Sequence, residues 1–343
     1  MNDTLQTEAG QADAWNTRLT ALFGMRLPIL GGGLMWLSDA NYVAALVRAG
    51  CMAFITPRSF DGLSAFEQQL LACRDACGDA AFGVNLTLSR RLDFESDVVQ
   101  QLEVALAHGV RHIETVGAAP WPLFDRIHAA GGVLVHKCTT VLHALKAEER
   151  GADAIALVGP EAGGHPGMNE LSSQLLCTLA LEQLRVPLAL GGGVGHGRQI
   201  ASALALGCDG VLIGTRFLVG AEVPVHPAVR QRFVAAGAND SLMVLRGTGH
   251  PWRVLDNATA REVAQREAGG ARSYPEFGAL VLGRTGRDGA YRSGDPEAGL
   301  LSMGPAIAFA GRAQTLAEIV ADLMVQTQAA LERLPALAQQ RSD

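Results

Sequence analysis

Residues 154–167 read AIALVGPEAGGHPG. An apolar run of strand length stops at a glycine and opens into a loop with one histidine set among glycines, as a buried strand does where it surfaces into a functional loop. The same unit recurs along the chain. Apolar runs open at RLPILGGG, CMAFITP, AAFGVNLTL, VRHIETVG, GVLVHKC, AIALVG, PLALGGGV and GVLIGTRFL, eight in all, starting about 22 to 33 residues apart. That interval is the length of one strand, one helix and their loops. Amphipathic or Ala-rich segments lie between them, such as SDANYVAALVRAG, DVVQQLEVALAHG, PLFDRIHAAG, TVLHALKAEERG and GRQIASALALGC, many closing on a glycine suited to a helix C-cap. Eight alternating units predict an α/β fold, a closed TIM (β/α)8 barrel. A doubly wound open sheet is the competing arrangement. The barrel is preferred because candidate ligand residues end strands one, three, five, six, seven and eight, and only closure gathers all six.

Beyond about residue 220 the alternation fades. The organisation read from this is an N-terminal arm at 1–20, a barrel core at 21–220, and a C-terminal helical and loop extension at 221–343 that packs on the barrel near the active site. Within the extension, RTGRDGAYRSGDPEAG reads as a mobile surface loop, and TLAEIVADLMVQTQAALERLPALAQQ as a helix that packs on the barrel or covers the pocket mouth.

The 343 residues are 48% apolar and only 5% aromatic, which suits helices packed closely on strands. A net charge of −6 argues against a nucleic-acid surface. Six cysteines lack the spacing of a zinc site and read as free thiols, so no metal is expected; Cys73 and Cys77 lie one helical turn apart. The opening MNDTLQTEAGQADAW has no apolar core of a secretory signal, and no apolar stretch is long enough for a membrane span, so the expected address is cytoplasmic. Exposed apolar positions in the last helix serve either a homodimer or packing on the barrel; periodicity does not separate the two.

Several residues carry chemistry. Glycine on the loop around His165 lets backbone approach a flat ligand and leaves the imidazole open to accept a proton near neutral pH; a plain turn is the other reading. Strand seven ends in Gly191-Gly192-Gly193 and strand eight in Gly214-Thr215, each before a helical segment, which is where barrels hold phosphate; for the triplet alone a tight turn is the better reading. Neither site matches a dinucleotide or P-loop fingerprint. Asn85 and the pair His136-Lys137 interrupt apolar strands, and buried polar groups require partners. An amide at Asn85 fits the edge of a flavin pyrimidine ring or ties down a loop. Lys137, one of only two lysines, compensates an anion or is a solvated strand end. His136 alternates to the opposite face and reads as structural. His196, ahead of a helix, either meets ligand or caps that helix.

Taken together, PILGGGLMW, FGVNLT, HKCTTVLHALKAEERGADA, EAGGHPG, GGGVGHGRQIASALALGCDGVLIGTRFL and TLAEIVADL, in this order, resemble the nitronate monooxygenases, also called 2-nitropropane dioxygenase-like proteins. The resemblance implies an FMN enzyme on a TIM barrel, with His165 as catalytic base. It implies that Gly32, Gly33 and Leu34 lie beneath or beside the isoalloxazine, that Asn85 and Lys137 contact flavin, and that Gly163 and Gly164 line the ring side of their loop. Gly192, Gly193, Gly214 and Thr215 would hold the FMN phosphate. Two positions depart from the family pattern: Leu34 stands where many relatives have Met, and Val158 where many have an acid.

The implied reaction oxidises alkyl nitronates, or nitroalkanes deprotonated by His165, with dioxygen as the second substrate, through one-electron transfer, a flavin semiquinone and nitrite release. The alternative within the same architecture is an NAD(P)H-dependent flavin reductase acting on an enoyl thioester or quinone. A non-catalytic flavin-binding protein is the third.

Overall fold

The computed structural model describes residues 14–88, 93–117 and 121–339; part of the expected N-terminal arm, residues 1–13, lies outside them. A short helix, α1 (Arg18–Phe23), starts at a Thr17 cap and stops at Gly24, whose φ of +63° is a left-handed turn that glycine takes without strain. The helix runs across residue 20 and precedes the barrel.

Eight parallel strands follow, β1 (Ile29–Gly31), β2 (Met52–Ile55), β3 (Gly83–Leu88), β4 (His112–Gly117), β5 (Val133–Cys138), β6 (Ala154–Val158), β7 (Leu188–Gly191) and β8 (Gly210–Ile213). Each pairs with the next, and β8 returns to β1 with Leu30 opposite Leu212, which closes the barrel. This is the TIM barrel expected from the eight apolar runs.

The strands alternate with helices α2 (Ala40–Arg48), α3 (Leu63–Cys77), α4 (Asp93–Ala107), α5 (Trp121–Ala129), α6 (Val141–Glu149), α7 (Ser173–Leu181) and α8 (Gly197–Leu206). Local chemistry sets their starts: the side chains of Asp39, Thr140 and Ser172 accept from the backbone N–H groups of Tyr42, His143 and Leu175.

Period-two alternation divides the core. Ile29, Ala53, Ile55, Val84, Leu86, Ile113, Leu134, Ile155 and Leu157 pack outward against the helices. Leu30, Met52, Phe54, Val135, Ala154, Ala156, Ala189 and Leu212 fill the interior, which Leu19 and Phe23 of α1 plug from one end with Met25. Interior side chains are bulky on β2 and small on β6 and β7, so a filled barrel keeps its space toward one side.

The extension adds α9 (Pro227–Val234), an antiparallel hairpin of β9 (Ser241–Val244) and β10 (Trp252–Leu255), α10 (Ala258–Ala268), the short α11 (Tyr274–Phe277) and α12 (Gly283–Thr285), and the long α13 (Leu316–Gln339). The hairpin and α10 share a small core of Val244, Val254, Ala260, Val263, Phe277 and Leu300. RTGRDGAYRSGDPEAG, which its composition reads as a surface loop, is helical over its first half. These turns bury Ala290 and Tyr291, and Arg287 lies over the ring of Trp36 at 5.0 Å while donating to Asp61.

Helix α13 lies along α8 and α2, where Leu316, Ile319, Val320 and Leu323 are buried while Val325, Leu334 and Leu337 are exposed. It flanks the barrel, and the mouth is left to the hairpin and residues 302–309. All six cysteines are free, with the sulfurs of Cys73 and Cys77 3.9 Å apart. Among the described residues no helix is long and apolar enough to cross a membrane, and no cluster of side chains is arranged to hold a metal ion.

Candidate active site at the mouth of the barrel

Three strands carry a polar layer into the barrel. Asn85 on β3 and Glu114 on β4 are register partners, and Lys137 on β5 lies opposite Val116, one inward position further along. Asn85 Nδ2 donates to Glu114 Oε1 at 2.6 Å, and Lys137 Nζ donates to the same oxygen at 2.7 Å. Burial of the Glu114 carboxylate is tolerable because two donors meet it. Its second oxygen, Oε2, is buried with no protein partner, as is Thr56 Oγ1 at the end of β2. Neither Glu114 nor Thr56 was singled out from sequence, although an acid inside HIETVG, a run otherwise of strand character, was the available signal.

The loop after β1 joins this layer. A Cβ on Gly33 would lie 2.7 Å from Asn85 and 2.8 Å from Thr56 Oγ1, so only glycine lets the chain pass there. Gly32 is anchored by its N–H to Ile213 O and by the Tyr42 hydroxyl, which donates to its carbonyl at 3.0 Å. Leu34 is tied through its N–H to Ser38 Oγ, and a Cβ on Gly214 would touch only Leu34 Cδ2. Strand ends one and eight are therefore neighbours with open space around Gly214. Val158 ends β6 as a buried interior side chain beside Gly191, with no carboxylate of its own.

His165 sits on the loop after β6, which the extension grips. Gly164 and Arg253 exchange both backbone hydrogen bonds, at 3.0 and 2.7 Å, and Arg253 Nε donates to Pro160 O. The hairpin thereby sets Trp252 on His165, with ring centroids 4.8 Å apart and nearly parallel planes, and the indole N–H donates to Ser302 Oγ. Solvent reaches the residue at the loop crest, yet protein crowds the imidazole. That desolvation, with a smaller contribution from the charge of His250, lowers its pKa from 6.5 to about 4. The ring is a neutral acceptor at pH 7. Nothing in the local sequence around His165 pointed to Trp252 or Arg253, because the contact joins distant segments.

The glycines divide into two kinds. A Cβ on Gly164 would meet nothing closer than 3.9 Å, whereas one on Gly163 would strike the backbone of Met303 and Gly304 at 2.8 Å. Gly192 and Gly193 hold φ of +95° and +75°, and added side chains there would press on Ser173 and on Glu161. Glu161 accepts from the N–H and hydroxyl of Ser173, whose hydroxyl also donates to Gly192 O, so the loops after β6 and β7 are laced together. Thr215 Oγ1 accepts from Gly304 N at 3.0 Å. Residues 302–304 thus run from the partner of Trp252 to the end of β8.

Two other histidines are structural. His196 caps α8, its Nδ1 accepting from Arg198 N, with Phe309 edge-on to its ring. His136 is buried on the outer face of β5 and hydrogen-bonded to Thr115.

The mouth fits a flat, polar-edged, phosphate-bearing group. Orphaned Thr56 and Glu114 oxygens lie at the polar layer, open glycines at 164 and 214 leave space, and left-handed glycines end β7 beside the start of a helix.

Comparison with known proteins bears on what that group is. A family model described as nitronate monooxygenase matches residues 16–326. A (3aS,4S,5R,7aS)-5-hydroxy-7a-methyl-1-oxo-octahydro-1H-indene-4-carboxyl-CoA dehydrogenase of Mycobacterium tuberculosis is 32% identical over 244 residues, 70% of this chain and 66% of that protein, just under two thirds of its length. A probable nitronate monooxygenase of Bacillus subtilis is 32% identical over 179 residues, 50% of this chain and 52% of the other. Among solved structures, FabK from Thermotoga maritima superposes with a TM-score of 0.85 at 25% identity, covering 94% of this chain and 99% of that one.

Proposed function

The chain belongs to the nitronate monooxygenase family, and from that premise we propose that it is a flavin-dependent oxidoreductase that binds FMN and oxidises alkyl nitronates with dioxygen, His165 serving as general base when the substrate arrives as a nitroalkane. The observation that carries this reading is a neutral imidazole held at the mouth of the barrel by a stacked indole.

FMN, when bound, supplies the redox centre between the substrate carbon and dioxygen. Asn85 and Lys137 would meet its pyrimidine edge, Gly32, Gly33, Leu34, Gly163 and Gly164 would border its ring, and Gly192, Gly193, Gly214 and Thr215 would receive its phosphate.

The chain's own part is proton transfer and positioning. A neutral ring nitrogen of His165 takes the proton from the carbon bearing the nitro group. Trp252 covers one face of the imidazole and fixes its plane, so the substrate carbon approaches an edge. A nitronate has already lost that proton and needs no base.

This asymmetry is the test. His165→Ala should lower kcat/KM for a nitroalkane by about 10² to 10⁴-fold while leaving the pre-formed nitronate within a few-fold of wild type. Equal losses on both substrates would remove His165 from the role of base.

A second reading, NAD(P)H-dependent reduction of an enoyl thioester or quinone, draws support from the likeness to FabK and to the carboxyl-CoA dehydrogenase. The two readings share fold, flavin and His165 and part over the electron donor.

A further inference from the structure

We propose that Glu114 is a positioning residue that sets the charge and the hydrogen-bonding polarity of the barrel's polar layer toward the flavin, by holding Asn85 and Lys137 on one carboxylate oxygen. The inference rests on the flavin reading above.

Glu114 is only 1% exposed and shares the barrel interior with apolar side chains. An unpaired carboxylate there would be prohibitively costly, so its two short contacts are what keep it. The consequences run outward from Glu114. A carboxylate only accepts hydrogen bonds, so the group that Asn85 turns to it must be the NH2, and Asn85 Oδ1 faces elsewhere as an acceptor. The hydroxyl of Thr87, 3.4 Å away, is its only near donor in the protein among the described residues. A flavin pyrimidine carries one imide N–H between two carbonyls and needs an acceptor of this kind. Without Glu114 the amide is free to flip and offer a donor where an acceptor is required.

The second consequence concerns charge. Lys137 is half-buried and ion-paired with Glu114 at 2.7 Å, which leaves the layer close to neutral. An unpaired ammonium at the flavin's polar edge would stabilise the reduced, anionic ring. Glu114 therefore holds the reduction potential down and eases the passage of electrons onward.

The third observation is independent of both contacts. Glu114 Oε2 on β4 and Thr56 Oγ1, one residue beyond β2, are buried and unpartnered on either side of the strand that carries Asn85, as polar atoms are where a further group completes the set.

The test uses the full-length flavoprotein as wild type, Glu114→Gln, Lys137→Met and the double variant, with midpoint potentials measured by dye-equilibrated reduction. Glu114→Gln should favour reduced over oxidised FMN by at least about tenfold, a rise of about 30 mV for a two-electron couple. Lys137→Met should not raise the potential, and the double variant should cancel the rise. A Glu114→Gln potential equal to wild type, or a rise that persists without Lys137, would overturn the proposal. Should Glu114→Gln fail to fold, Glu114→Ala carries the same sign.

A flavin-free readout separates this from failure of the cofactor reading. The chain has only two lysines, Lys137 and Lys146, so 13C-lysine NMR gives two signals. Removal of Glu114 should shift the Lys137 signal and leave Lys146 in place. An unmoved Lys137 signal refutes the ion pair whether or not FMN binds, whereas a wild-type protein that takes up no FMN refutes only the cofactor.

Discussion

A buried imidazole and a buried carboxylate meet the same desolvation cost in different ways. Glu114 keeps company with Lys137; His136 stays neutral, its pKa lowered to about 4 chiefly by burial. For His136 the sign follows directly. Unfolded, the ring titrates near 6.5; folded, near 4. Between these values the unfolded chain binds a proton that the folded chain does not, so stability is full above about pH 6.5 and falls as pH drops toward 4. This one group accounts for about 2 kcal/mol between pH 7 and pH 5. His136→Gln should flatten the pH dependence of urea unfolding by about that amount, and an unchanged dependence would assign the acid sensitivity elsewhere. At this scale the sequence was informative where a residue type broke a pattern: Asn85, Lys137 and His136 all interrupt apolar runs. Glu114 does so too, between Ile113 and Thr115 in HIETVG, but its importance emerges only when three strands lie side by side in register.

Elements act on the site through contacts that no local pattern records. The eight runs and the helices between them were legible because burial imposes period two on the outward and inward faces of each strand, and period 3.6 on each helix. The β9–β10 hairpin was not. Its strands are no shorter than β2, β7 or β8, but its value lies in where it lands: it bridges Gly164 and lays Trp252 on His165. The stretch around Arg287 was misread for a related reason. Its glycines and charges have loop composition, while the indole of Trp36 and the carboxylate of Asp61 hold it in place. If the hairpin's task is to fix the imidazole and crowd water from it, Trp252→Ala should move the acid limb of the proposed nitroalkane turnover upward toward pH 6.5, because more water reaches the ring and its charged form becomes cheaper. Loss of the ring contact should lower kcat/KM up to about tenfold, with Trp252→Phe restoring most of it. A pH–rate profile that does not move would mean that the indole is only packing.

At the scale of the whole molecule, closure of the barrel gathers eight strand ends at one mouth, six of them bearing candidate residues, and the extension finishes it. The hairpin grips the loop after β6, residues 302–304 reach Thr215, and α13 flanks α8 and α2. The family match runs through residues 16–326, so it takes in most of the extension as well as the barrel, and the two proposed reactions share that whole frame and differ in the electron donor. The decisive measurement is therefore anaerobic stopped-flow absorbance of the FMN-loaded protein, mixed separately with propionate 3-nitronate and with NADPH. The account predicts rapid bleaching of the flavin band by the nitronate, recovery on admitting dioxygen with release of nitrite, and a slow or absent response to NADPH. Prompt two-electron bleaching by NADPH, with no response to the nitronate, would contradict it and assign the same barrel to reduction.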